Sequence, residues 1–137
     1  MKPGDVAYVR YRLDQARETL IAAQVLLEKR LLRSAVNRIY YACFYVAESL
    51  LRTEGMHSKT HRGTLSLFDG HWAKMGRIPP EMVHFYHEVF RERHEGDYVA
   101  LTEFDSDDVA DWLRNAKSFV DSRRMSYIDE IAGTRGG

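Results

Sequence analysis

Residues 34 to 54, SAVNRIYYACFYVAESLLRTE, constrain this chain more than any other stretch. Their apolar side chains recur on most sides of a helix rather than along one stripe. A helix of that kind is stable only when several neighbours cover it. Its one polar strip is Asn37, Tyr41, Tyr45, Glu48 and Arg52, with Arg38 alongside, so one side faces something wet or charged.

The remaining sequence supplies the neighbours. Apolar residues recur at helical spacing almost throughout, alternation of the strand type is scarce, and prolines occur only at 3, 79 and 80. The first helix is expected from Asp5, as its cap, to about Lys29, with Val6, Val9, Leu13, Ala16, Leu20, Ala23 and Leu27 as its stripe. The central helix runs from about Ser34 to Glu54, and Gly55 ends it in a left-handed conformation. A third is expected from about His61 to Met75. After a break at Gly76 to Pro80, a fourth runs to about Glu95. Ser106, followed by Asp107 and Asp108, caps a fifth that reaches about Arg124 and carries Val109, Trp112, Leu113, Ala116, Phe119 and Val120. The expected fold is all-α, a compact antiparallel bundle of about five helices around a four-helix core. It forms a single domain over residues 1–131, with 132–137 as a disordered tail.

Composition excludes several classes. At 137 residues and 45% hydrophobic, the chain buries a core without a staple. The single Cys43 lies in the apolar stretch YYACFYV and reads as a core residue. No apolar run reaches the roughly 18 residues that cross a bilayer, and the first residues lack a signal-peptide core, so the expected location is cytoplasmic with no membrane partner. Twenty basic residues balance twenty acidic ones, which argues against a surface that coats nucleic acid everywhere but leaves room for a basic cleft. Fifteen arginines against five lysines favour bidentate contact with phosphate or carboxylate.

The segment FRERHEGDYV, residues 90 to 99, is the strongest local signal. At 100° per residue, His84, His87, Arg91 and His94 fall within an arc of about 80° on the fourth helix. Arg93 projects toward the apolar side instead and needs a partner, for which Asp97 is the nearest candidate. The plain reading is a solvated His/Arg face and a structural Arg93–Asp97 pair. The sharper reading is a cleft with Arg38, Tyr41 and Tyr45 on one wall and Arg91, Arg93 and His94 on the other. Arginines there would hold phosphate, aromatics would stack a base, and a histidine would move protons. His61 opens the third helix, where it acts either as a structural cap or beside a bound anion. Metal ligation is a separate possibility, because His57/His61 and His84/His87 are spaced four and three apart. No E-x-x-H pair recurs on two helices, and no metal or other cofactor is expected.

Three ordered segments carry a resemblance. Arg38-Ile39-Tyr40-Tyr41-Ala42, Lys59-Thr60-His61-Arg62-Gly63 with Phe68, and Arg93-His94-Glu95-Gly96-Asp97-Tyr98 resemble the HEPN domain (higher eukaryotes and prokaryotes nucleotide-binding), in its small stand-alone prokaryotic branch. The resemblance spans about residues 10 to 125. It implies a helical bundle that forms a homodimer. It also implies metal-independent ribonuclease activity in many members, through an arginine followed by four to six residues and a histidine. Small members commonly act with a minimal nucleotidyltransferase as a toxin–antitoxin pair.

This chain departs from that motif. His94 follows Arg91 after only two residues, and position 97 is Asp. Arg52–His57 and Arg77–His84 fit the bare spacing but lie outside the motif region. The catalytic candidates are therefore Arg91, Arg93 and His94, and the nucleotide- or RNA-binding candidates are Arg38, Tyr41, His61, Asp97 and Tyr98. The expected function is RNA or nucleotide binding within such a pair. The alternative is a catalytically silent scaffold for the nucleotidyltransferase.

Overall fold

The structure, a computed structural model, describes residues 2–96 and 103–136, with side chains described for 2–93 and 103–127. It is built from α1 (Pro3–Glu28), α2 (Leu32–Thr53), α3 (His61–Phe68), α4 (Pro80–Gly96) and α5 (Ser106–Gly136), and no strand occurs among the described residues. The all-α expectation holds. α2 packs against α1, α3, α4 and α5, as its nearly all-round apolar sequence requires. Eleven of its residues are buried, Ile39, Tyr40, Ala42 and Cys43 completely. Phe68, Tyr86 and Phe119 bring α3, α4 and α5 together in edge and offset ring contacts 5.3 to 6.3 Å between centroids.

The helix ends show where local chemistry overrides the simplest reading. Asp5 is not the cap of α1. Pro3 occupies the first turn, Lys2 is the cap, and the Asp5 carboxylate reaches back to accept the Lys2 backbone N–H at 3.3 Å. Gly55 ends α2 as expected, at φ 72°, with Met56 N–H donating to Leu51 O at 2.9 Å and Gly55 N–H to Arg52 O at 3.1 Å. α1 ends in the same hydrogen-bond pattern, but Arg30 takes the left-handed position at φ 62°.

The third helix is shorter than expected. α3 stops at Phe68 and the chain widens into a π-helical segment, Asp69–Ala73, closed by Lys74 N–H donating to Asp69 O at 2.8 Å. Gly70 lies inside it, and Gly76 at φ 71° turns the chain toward Pro79 and Pro80. α5 continues past Arg124. Tyr127 is buried there at 4% exposure, and the backbone of 132–136 belongs to the same helix.

Candidate functional site

The polar strip of α2 divides into two halves. The lower half is closed by α1. Arg12 pairs with Glu48 at 2.9 Å and lies 4.9 Å from the Tyr45 ring centre, Tyr8 donates to Glu48 at 2.9 Å, and Arg52 pairs with Asp5 at 3.1 Å. Tyr45, expected in the cleft, is thus occupied by α1.

The upper half is different. Two guanidiniums lie close to the half-buried Tyr41 ring centre, Arg38 from its own helix at 5.1 Å and Arg93 from α4 at 5.5 Å. Arg93 reaches α2 by donating from Nε to Asn37 Oδ1 at 3.2 Å and also lies 5.7 Å from the Tyr40 ring centre. Beside them a hollow of about 460 Å³ opens, lined by Arg33, Asn37, Arg38, Glu92, Arg93 and Phe104 among others. Among the described residues three guanidiniums and one carboxylate line it, an arginine-rich composition although the whole chain is neutral.

His61 joins this face from α3. Its ring stacks on Phe44 at 4.3 Å, lies edge-on to Tyr41 at 5.6 Å, and shares a 2.8 Å hydrogen bond between Nδ1 and the Tyr40 hydroxyl. Burial first, and then the Arg93 guanidinium, hold its pKa below the ordinary 6.5, against a weaker pull from Glu48. Near neutral pH the ring is therefore mostly uncharged and able to accept a proton. His61 does not cap α3. Thr60 does, accepting the Gly63 N–H at 2.9 Å. A Cβ at Gly63 would stand 2.1 Å from Ser58 Oγ and 2.8 Å from Thr60 Oγ1, so both hydroxyls would have to rotate away from the hydrogen bonds that they accept from the Thr60 and Gly63 N–H groups. The Lys59–Gly63 motif is thus a device that seats His61 against the aromatics of α2.

Of the expected residues, Arg38, Tyr41, Arg93 and His61 come together. Arg91 does not: two residues from Arg93 it points about 200° away, and it lines a separate hollow with His84 and His87. Three members of the expected arc, His84, His87 and Arg91, line that second hollow. The His94 side chain, Asp97 and Tyr98 lie outside the described residues, as does the expected Arg93–Asp97 pair. Sequence reasoning missed Arg33, Glu92 and Phe104 as neighbours of the face. Arg33, Asn37 and Arg38, at steps of four and one on α2, were the available signal. Among the described residues no group of three or more His, Cys, Asp or Glu side chains is placed to hold a metal.

The chain is thus a small all-α bundle whose central helix carries an arginine–tyrosine face, met by an arginine from α4 and a seated histidine from α3. The HEPN domain family model matches residues 9–125, and the chain belongs to that family. A UPF0332 protein of Thermotoga maritima is 41% identical over 114 residues, covering 83% of this chain and 86% of that protein. From Methanocaldococcus jannaschii, the protein named "Putative toxin MJ0605" is 32% identical over 121 residues, covering 87% of each chain. A second, "Putative toxin MJ0142", is 26% identical over 118 residues, covering 86% of this chain and 80% of that one. Among the described residues no helix is long and apolar enough to cross a membrane.

Proposed function

We propose that this chain binds RNA or a nucleotide on the Arg38–Tyr41–Arg93 face. In this reading it acts in the cytoplasm as a homodimer, the toxin-like half of a pair whose other half is a minimal nucleotidyltransferase. The observation that carries the reading is the pair of guanidiniums, Arg38 and Arg93, converging within 5.5 Å of the Tyr41 ring centre beside a hollow of about 460 Å³ that Arg33 also lines. Arginines gathered round an aromatic ring offer phosphates charge-assisted hydrogen bonds, and their guanidinium planes offer a base a stacking partner. The family and the toxin names of the two archaeal relatives support the same direction.

A second reading adds metal-independent cleavage of the bound RNA. His61 favours it, as an imidazole kept mostly neutral beside Arg93. Such cleavage needs a base for the 2′-hydroxyl and a cation for the phosphorane, and these two groups are of the required types.

The test is fluorescence anisotropy with a labelled single-stranded RNA, together with RNA decay in EDTA. Arg38→Ala and Arg93→Ala are each expected to weaken binding by about tenfold, which is ~1.4 kcal/mol. They should also lower the salt slope by about 0.7 per lost phosphate contact. Affinities equal to wild type for both variants would sink the binding reading. Equal, background-level decay from wild type and Arg93→Ala would remove the cleavage reading. If binding then failed as well while the nucleotidyltransferase still associated, the chain would be a scaffold.

A further inference from the structure

The second hollow, between the Gly76–Pro80 connection, α4 and α5, is larger than the first at about 1000 Å³ and takes no part in the reading above. Arg77, Arg91, Arg123, His84 and His87 line it, and no Asp or Glu does among the described residues. Its floor is apolar, with Ile78 and Val83, and Pro79 and Pro80 stiffen its rim.

The five cationic or titratable groups differ in what already holds them. Arg77 is ion-paired with Glu54 and lies over the Trp72 ring at 3.5 Å. His87 is tied to Asp69 at 2.8 Å, and His84 has Glu88 at 3.9 Å. Arg91 and Arg123 form no ion pair with any described carboxylate. Arg123 is half-buried, and its hydrogen bonds are only long ones, to Ser122 Oγ at 3.3 Å and the Arg77 carbonyl at 3.5 Å. Burial alone pulls its pKa below the ordinary arginine value. A partly desolvated guanidinium with no counter-charge is costly, and a second unpaired one across the same hollow adds repulsion. An anion bridging the two would relieve both.

We propose that this hollow is a second anion site. It takes the phosphate of a nucleotide on Arg91 and Arg123 and lays the rest of that nucleotide on Ile78, Pro79 and Val83. The volume suits a whole nucleotide better than a lone phosphate. The phosphate belongs either to a free mononucleotide or to an RNA strand, and both present the same chemistry to the arginines. The site does not depend on the Tyr41 face, since its residues are different and on the far side of α4.

The full chain is titrated with AMP by calorimetry and with a labelled ten-nucleotide oligouridylate by anisotropy. The variants are Arg91→Gln, Arg91→Gln/Arg123→Gln, Arg38→Gln and Arg93→Ala. The double variant is expected to weaken AMP binding at least tenfold, and the exposed single Arg91→Gln several-fold. If RNA supplies the phosphate, the oligouridylate loses affinity in parallel and its salt slope falls by about 1.4 for two contacts. If a free nucleotide does, only AMP is affected. Wild-type affinity for both probes in the single and double variants, each with an unchanged melting curve, would overturn the proposal. Silent Arg38→Gln and Arg93→Ala beside an affected double variant would instead sink the Tyr41 reading and leave this one standing.

Discussion

Arg30 is the one described non-glycine residue at positive φ, 62°, and it stands where glycine usually ends a helix. Its side chain returns a single exposed hydrogen bond, to Ser106 at 3.1 Å. Arg30→Gly is therefore expected to stabilise the fold by up to about 1 kcal/mol, read as a higher melting temperature. Tyr86 is fully buried, and its hydroxyl has no hydrogen-bond partner among the described residues. Tyr86→Phe should accordingly be neutral or stabilising by about 1 kcal/mol, whereas a loss in denaturant titration would show that the hydroxyl is bonded. His61 gives a pH dependence with a definite sign. Its folded pKa lies below the unfolded 6.5, so on acidification the unfolded chain takes up the proton first. Stability from this group is present above pH 6.5 and declines as pH falls through that value toward the folded pKa. His61→Gln should flatten that part of the curve relative to wild type. At this scale the sequence was half legible. Helical phase alone separated Arg91 from Arg93 and showed that Arg93 needs a partner. It could not show that Asn37 on another helix would be one, because that depends on how α2 and α4 cross.

The short segment from Thr60 to Ala73 is where local backbone chemistry does most for the site. Thr60 caps α3, Gly63 leaves room for the cap, and His61 is seated as a result. Gly63→Ala should cost about 1–2 kcal/mol through the lost cap. It should also displace His61 enough to change the pH profile described above, which circular dichroism melts at several pH values would detect. Five helices, the breaks between them and the buried stripe of α5 were readable from periodicity and from Gly, Pro and Ser positions. The switch to π-helical geometry at Asp69 was not, since no residue type marks it. It depends on tertiary fit, with Trp72 buried and Asp69 reaching His87 on α4.

For the molecule as a whole, the core is one cluster, and truncation anywhere in it is felt throughout. Phe119→Ala, at a position with no exposure, is expected to cost about 3–5 kcal/mol in urea unfolding. Substitutions at exposed Arg91 should leave stability almost unchanged. The overall architecture was the most legible level, because an almost wholly apolar helix can only be central. The pairing of its neighbours, and hence two arginine-lined hollows rather than one, required the packed structure. That central placement sets how the protein opens. Since α2 is clamped by all four other helices, its amide hydrogens can exchange with solvent only when the entire chain lets go. The residues presented by its upper half are therefore anchored in the slowest-exchanging part of the molecule, and deuterium uptake along residues 35–51 would report the global unfolding free energy directly.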